Sequence, residues 1–324
     1  LNGKINKYVK LRLQEKIITF TKILESGTYC RMNRTSFSYE FFPPKSDESA
    51  VQLWEALPAL AALGPKYMTV TYGAGGSTKD GTLETLRRAI SEFPHIPFAS
   101  HLTFLSTPKD VLDDYIDALW NTGVKTIVAL RGDLPKGTSF ADFEGPQYHK
   151  WTSEFVSVIK ARHPFEVIVG AYPEKHPDAP SLAADIEALR AKCNAGADRV
   201  TTQFFFENDT FYRFLDQCEK AGITTPIHPG LIPVHDFPSL VRFAGKCQAR
   251  VPNWMHEMFE NLAPGSEDAL KKASDLLVKQ SLDLAANGAT HIHFYSMNKA
   301  ALTRDACAAL LSLNAPATQK NLRS

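Results

Sequence analysis

Ser36-Phe37-Ser38-Tyr39-Glu40-Phe41-Phe42, stopped by Pro43-Pro44, is the stretch on which the fold turns. Its residues alternate in the manner of a strand with two unlike faces. Phe37, Tyr39 and Phe41 share one face, which is expected to pack against helices. Ser36, Ser38 and Glu40 share the other, with Glu40 at the last turn-free position before the prolines. A carboxylate there has two readings. It is a group for proton chemistry, its pKa raised by burial toward working pH. Or it is a structural acid bonded to a neighbouring strand or a helix N-terminus. The residues just after the strand separate two architectures. A doubly wound open sheet predicts a glycine-rich phosphate turn after the first strand, and Pro43-Pro44 stands there instead.

The unit then repeats. Runs rich in β-branched, aromatic or other apolar residues lie at 36–42, 67–72, 98–104, 126–131, 166–171, 198–205, 226–232 and 290–296. Amphipathic helical segments separate them, with stripes such as Val111, Leu112, Tyr115, Leu119 and Trp120 in 108–122. Asp110, Asp178 and Asn208 lie close to helix starts, and Gly123, Gly196 and Gly222 near helix ends. The connection 233–289 is long enough for two or three helices. Eight β/α units predict an α/β protein, a single (β/α)8 TIM barrel with extra helices in the seventh connection. The domain reading is an N-terminal extension at 1–35, a barrel at 36–314 and a tail at 315–324.

The whole chain sets the remaining bounds. It has 324 residues and a net charge of +1, a balance that argues against non-specific nucleic-acid binding. No run of about 20 apolar residues is present, so no membrane span is expected. The five cysteines are not in CxxC spacing, which fits free thiols in a reducing compartment. The first ~35 residues are Lys-rich but contain Glu15 and Glu25, unlike a transit peptide. A translated leader with Met32 as the true start is the preferred expectation, a surface helix the second and a targeting peptide the third.

In such a barrel the chemistry sits where the strands end. Those ends read Glu40, Thr71-Tyr72, His101, Arg131-Gly132-Asp133, Tyr172, Gln203, Gly230 and Tyr295. Polar groups converging on one rim imply a shared site, although any one of them taken singly is equally a bonded core residue. Val70 to Thr78 runs a strand into a glycine-rich loop, open to an anion or a flat ligand, or simply a tight turn. Arg131 offers a phosphate-matching fork, and Asp133 could face a developing cation; the alternative is an Arg–Asp pair closing the loop. Tyr172 and His176 combine a stacking face with a histidine that is otherwise a solvent-exposed loop residue. Gln203 can read a heterocycle edge through paired donor and acceptor. His291 and His293 share a strand face but lack a third ligand, so no metal is expected. No GxSxG elbow is present for hydrolase chemistry.

These residues bring a family into view. SYEFFPPK at 38–45, VTYGAGGSTKDGT at 70–82, HLTF at 101–104, ALRGDLP at 129–135, AYPEKHPDAPS at 171–181, KCNAGADRVTTQFFFEND at 192–209, HPGLIPV at 228–234 and HFYSMNKA at 293–300 resemble the methylenetetrahydrofolate reductases, in order along the chain. The resemblance implies an FAD-containing TIM barrel. NAD(P)H would reduce the flavin and leave, and 5,10-methylenetetrahydrofolate would take its place and be reduced to 5-methyltetrahydrofolate. Glu40 resembles the family's acid, which assists opening of the five-membered ring to an iminium, and Asp133 the carboxylate that stabilises that cation. Thr71, Tyr72, Ala74, His101, Arg131, Gly132, Tyr172, His176, Asp185 and Lys192 resemble the FAD contacts, with Trp151 and Thr152 at the flavin's border. Gln203 resembles the residue that bonds the pterin and the nicotinamide, and Phe243 an aromatic that stacks on substrate. The family also implies a cytoplasmic homo-oligomer in one-carbon metabolism.

The chain departs from the pattern in places. Ala188 and Ala191 replace polar FAD contacts, Lys299 stands where Arg is expected for the folate tail, and Ser239 replaces another polar side chain that could reach folate. The regulatory domain of eukaryotic relatives is expected to be missing. Neither NADH nor NADPH is assignable. The alternative functions are a flavin-independent pterin methyltransferase barrel and a non-catalytic binding subunit.

Overall fold

Six strands lie side by side in chain order: β1 (Ser36–Phe41), β2 (Tyr67–Val70), β3 (Phe98–Thr103), β4 (Thr126–Leu130), β5 (Glu166–Ala171) and β6 (Arg199–Thr202). The computed structural model describes residues 34–72 and 79–314. The expectations for 1–33, for 315–324 and for the glycine-rich loop with Ala74 lie outside the described residues. The seventh strand comes in two pieces, β7 (Ile227–His228) and β8 (Gly230–Leu231), and the last is β9 (His291–Tyr295). Every pairing is parallel, and β9 pairs with β1.

The break in the seventh strand closes the ring. β7 pairs with β6, whereas β8 pairs with β9. Pro229 lies between them and has no N–H for the ladder. Its carbonyl accepts from the His293 N–H at 2.9 Å, so the chain changes neighbours at this residue. The strand expected to be continuous over 226–232 is therefore divided, and the TIM-barrel fold stands.

Most strands also stop earlier than the sequence pattern suggests. The run 198–205 ends as a strand at Thr202. Gln203 N–H still donates to Ala171 O at 2.7 Å, but Phe204 N–H turns to the Gln203 side-chain oxygen at 3.0 Å. The aromatic run that looks like strand is thus rim loop, where the chain leaves the ladder.

Ten α-helices are described: α1 (Asp47–Ala61), α2 (Lys79–Glu92), α3 (Lys109–Thr122), α4 (Thr152–Arg162), α5 (Leu182–Asn194), α6 (Asn208–Lys220), α7 (Phe237–Cys247), α8 (Asn253–Phe259), α9 (Glu267–Ala286) and α10 (Ala301–Asn314). Three of them, α7 to α9, fill the seventh connection. Side-chain caps start several: Ser46 on α1, Ser181 on α5, Asp236 on α7 and Ser266 on α9. Ser181 opens α5, and Asp178 lies just before it, close to the helix start as expected. At the end of α3, Gly123 takes φ 98°, the left-handed cap that glycine adopts without strain.

Alternation sorts the strands into two interiors. Phe37, Tyr39, Phe41, Val70, Leu102, Val169, Val200 and Phe294 face outward and pack with the helices in one large apolar core. Inside the ring, Tyr67, Ala99, Val128 and Ile168 form a small separate cluster with Leu130. The rest of the inside is polar: Ser38, Glu40, His101, Arg199, His228, His291 and His293 are all buried. Arg199 is made tolerable there by an ion pair with Glu166 and by the Tyr67 ring 4.9 Å away.

Gly230 is where closure is tightest. A Cβ there would lie 2.1 Å from Thr202 O and 2.7 Å from the Tyr295 ring. Gly230→Ala is expected to lower the unfolding free energy by about 1–3 kcal/mol or more, as overpacking against rigid backbone does. Urea unfolding measures it; a wild-type midpoint would mean that this contact is not holding the ring closed.

Candidate functional site

Glu40 is 7% exposed and reaches the inside of the rim from β1. Its Oε2 lies 3.3 Å from His101 Nε2 and 3.7 Å from His293 Nε2. His101 Nε2 also lies 3.2 Å from the Thr69 hydroxyl. The β1–β9 register explains the assembly. Ser36 stands opposite His291, Ser38 opposite His293 and Glu40 opposite Tyr295, so the inward residues of both strands meet. His101, assigned by resemblance to the flavin, is in this geometry the partner of Glu40.

The end of β1 is anchored by residues that the sequence reading passed over. Ser296 Oγ donates to the Glu40 carbonyl at 2.5 Å. The Asn298 side chain accepts from Phe42 N–H and donates to Phe42 O, both at 2.9 Å. Met297 and Asn298 take φ 56° and 54°, a left-handed turn that folds the Asn298 amide back onto β1. Asn is the residue type that tolerates this region best after glycine, and that is the only sequence signal for its role. Thr69 and His293 were missed as partners because strand register, not spacing, brings Thr69 to His101 and His293 to Glu40.

The protonation state of Glu40 differs from the expectation. Burial pushes its carboxyl up, but His101 and His293 outweigh burial and hold the pKa below the ordinary value. Burial likewise keeps the His101 imidazole below its ordinary pKa, against the pull of Glu40. The resting state is a carboxylate beside a neutral His101 imidazole.

A second group lines the rim from β4 to β7. The Tyr172 and His176 rings meet edge to face at 4.5 Å. Arg131 pairs with Asp178 at 2.7 Å, not with Asp133, and its Nε has no partner. Asp133 is exposed, near enough to Tyr172 to add to the rise that burial chiefly causes in that phenol, up to about 12. Asp185 accepts from the His176 N–H at 2.7 Å, and Lys192 donates to Gly170 O at 2.6 Å. Asp185 therefore shapes the backbone of this loop, and Lys192 ties α5 to the end of β5. Gly132 takes φ 88°, where a Cβ would meet Thr103 at 2.8 Å.

The other assigned residues scatter more widely. Gln203 lies beside Tyr172 and Cys247 in a small cleft. Phe243, 37% exposed, stacks on Phe204 at 5.6 Å, and Phe204 meets Tyr295 at 6.2 Å. Thr71 N–H donates to Phe41 O at 2.9 Å, at the end of β2. The Tyr72 ring is buried against Tyr115 at 5.2 Å and belongs to the outer core. Trp151, 64% exposed, and Thr152 lie where α4 begins. Lys299 is exposed and borders a groove with His235 and Asn298. Ala188 and Ala191 are exposed on α5, and the Ser239 hydroxyl accepts from Arg242 at 2.7 Å. Among the described residues no cluster fits a metal ion, and no helix is long and apolar enough to cross a membrane.

Fold and site together define an α/β barrel with acid–base residues gathered at the C-terminal ends of its strands. A solved Clostridium thermocellum protein, described as binding two copies of 5-methyl-5,6,7,8-tetrahydrofolic acid, shares the fold with TM-score 0.59 at 13% identity, over 87% of this chain and 96% of that one. Residues 27–310 match the family model for methylenetetrahydrofolate reductase, and the chain belongs to that family. A 5,10-methylenetetrahydrofolate reductase of Pectobacterium carotovorum subsp. carotovorum is 36% identical over 274 residues, 85% of this chain and 89% of that protein. The Escherichia coli (strain K12) protein of the same description is 36% identical over 270 residues, 83% and 88% of the two chains. Methylenetetrahydrofolate reductase (NADH) 1 of Zea mays is 32% identical over 289 residues, 86% of this chain and 48% of its own length.

Two outcomes are expected. Burial lowers the His228 pKa to about 3 and that of His291 well below the ordinary value. Both titrate near 6.5 when unfolded, so below that pH the unfolded chain binds protons that the native state refuses. Stability is therefore full above about pH 6.5 and falls as pH drops, by up to about 1.4 kcal/mol per pH unit for each such histidine. Glu40 adds its own loss only below about pH 4.3. Urea unfolding at pH 7.5 and 5.5 checks this; equal stabilities would refute it. Asn298→Ala removes both bonds to Phe42 and is expected to cost about 1–3 kcal/mol by the same measurement.

Proposed function

We propose that this protein reduces 5,10-methylenetetrahydrofolate to 5-methyltetrahydrofolate, with FAD as hydride carrier and NAD(P)H as reductant, in ping-pong order. The observation that supports this most is the Glu40 carboxylate, buried on the rim 3.3 Å from His101. The same proposal makes the protein a cytoplasmic homo-oligomer.

The reaction consumes one proton and one hydride. The proton goes to the ring nitrogen that leaves when the five-membered ring opens, and Glu40 Oε2 is the atom to deliver it. In the free site Glu40 is a carboxylate, so it has to gain a proton first. Folate covering the rim would exclude water and strengthen the burial that already pushes this group upward. His101 then serves Glu40 as a positioning partner. Asp133, exposed beside Tyr172, would face the cation that ring opening leaves. Gln203 would read the pterin edge through its amide, and Phe243 has an exposed face to stack on it. Lys299 would attract the folate carboxylates as a point charge, without the fork that Arg provides.

The residues present suit FAD. Arg131 has an unpartnered buried Nε next to a guanidinium nitrogen already fixed by Asp178, a geometry ready to accept phosphate oxygens. Thr71, Arg131, Gly132, Tyr172 and His176 would hold the group, with Asp185 fixing the loop around it and Lys192 the end of β5. When bound, FAD would supply two-electron transfer between the nicotinamide and the folate.

Glu40→Gln separates the two halves of this chemistry. Rapid mixing of the flavin-loaded variant with NAD(P)H is expected to bleach the flavin at nearly the wild-type rate. Reoxidation by methylenetetrahydrofolate is expected to slow by about 10²–10⁴, the usual size of a general-acid contribution. Equal slowing of both steps would make Glu40 a positioning residue, and a protein that cannot be loaded with FAD would refute the proposal.

A further inference from the structure

The inside of the barrel holds a row of groups that the rim chemistry does not use. Ser36 Oγ lies 2.8 Å from His291 Nδ1. His291 Nε2 lies 2.8 Å from Ser38 Oγ, and Ser38 Oγ lies 2.7 Å from His293 Nδ1. His293 Nε2 then faces Glu40 Oε2 at 3.7 Å. Ser38, His291 and His293 are 0%, 2% and 3% exposed, whereas Ser36 is only half-buried at the start of β1. Every member both donates and accepts, and each uses its two polar positions in line. We propose that Ser36, His291, Ser38 and His293 form a proton path through the barrel, which recharges Glu40 from the end opposite the rim. The proposal rests on Glu40 being the proton donor to folate.

One set of tautomers satisfies the whole row when Glu40 is ionised. Ser36 donates to His291 Nδ1, His291 Nε2–H to Ser38, Ser38 to His293 Nδ1, and His293 Nε2–H points at the carboxylate. A proton entering at Ser36 moves each of these hydrogens one step on. Ser36 gives its proton to His291 and takes one from water, and the last transfer puts a proton on Glu40 Oε2. One proton enters, one arrives, and no group keeps a charge. Afterwards the polarity is reversed, with Ser36 free to donate to Thr290 O at 3.2 Å. The final 3.7 Å step has to shorten, which requires Glu40 to turn toward His293. The charged neighbours support neutral imidazoles: Arg199 and Lys66 both disfavour a cation at His228 and His291, with Arg199 itself paired to Glu166. His228, whose ring is 4.6 Å from His291, is a side contact and not a link.

This path has a use because the rim is where folate would sit. A donor covered by its own substrate needs a proton from elsewhere, and β1 and β9 lead to the far end of the barrel. The row is also more than a way to satisfy buried histidines. A purely structural role would not require that the two ring nitrogens of His291 and the Nδ1 of His293 share hydroxyls in one unbroken line.

Ser38→Ala cuts the row between the histidines without touching Glu40. In the flavin-loaded protein, reduction by NAD(P)H is expected at the wild-type rate, and reoxidation by methylenetetrahydrofolate is expected to slow by about tenfold or more. Ser38→Thr restores the hydroxyl and should recover most of the rate. An unchanged reoxidation rate in Ser38→Ala overturns the path. A second measurement uses the ligand-free protein and no activity. Nitrogen-15 NMR of the histidines is expected to show Nε2–H tautomers for His291 and His293, and Nδ1–H tautomers for both in Glu40→Leu. Adding Ser38→Ala to Glu40→Leu should leave His291 in its original form. If His291 ignores Glu40→Leu in the otherwise wild-type chain, the row is not coupled and the path fails. Should wild-type protein not reduce methylenetetrahydrofolate at all, the functional proposal fails by itself, and the NMR result still decides whether the row is coupled.

Discussion

A carboxylate buried in a barrel needs partners, because an unpaired polar group costs several kcal/mol in that environment. The parallel pairing of β1 with β9 meets this constraint. It sets Ser36, Ser38 and Glu40 opposite His291, His293 and Tyr295, so that two adjacent strands satisfy each other's inward side chains. Slipping either strand by one residue would point Phe37, Tyr39 and Phe41 inward and all the polar groups into the helical layer. The register is thus held from both sides, by apolar burial outside and by hydrogen bonds inside.

The remaining features of the site build on that pairing. The Ser296–Asn298 turn ties the end of β1 to the chain leaving β9, and so fixes the backbone from which Glu40 projects. The divided seventh strand brings β8 against β9 and lets Tyr295 donate to Thr202 O at 2.7 Å, across the rim. Tyr295 and Phe204 then continue an aromatic wall to Phe243. The Tyr172–His176 loop is stiffened separately, by Lys175, which donates to three carbonyls of its own loop, and by Asp185. The Glu40 side of the site is therefore built on paired strands and the Tyr172 side on a braced loop.

Proton control arises from the same packing. Burial and the nearby histidines act on Glu40 in opposite senses, and in the free site the histidines win. An acid in that balance changes state when its surroundings change, which is what the proposed donor role asks of Glu40. The same burial that keeps His101, His228 and His291 neutral makes them a liability in acid, so stability and the proposed proton handling draw on overlapping residues.

The amino-acid sequence by itself determined the architecture and most of the rim. Strand–helix alternation and Pro43-Pro44 pointed to the barrel, and parity placed Glu40 and His101 on its inner face, because side-chain direction in a strand depends only on local backbone geometry. The ordered motifs brought the family into view. What only the tertiary structure decided were the pairings between distant segments. Arg131 meets Asp178 and not its neighbour Asp133, the Tyr72 ring turns into the outer core, and Glu40 has its pKa lowered by residues 61 and 253 positions away. The row from Ser36 to His293 was likewise beyond the sequence, where His291 and His293 stood as a weak metal signal. Spacing along the chain carries no information about which strand closes a ring against which. Register does, and register is fixed by the simultaneous packing of both faces.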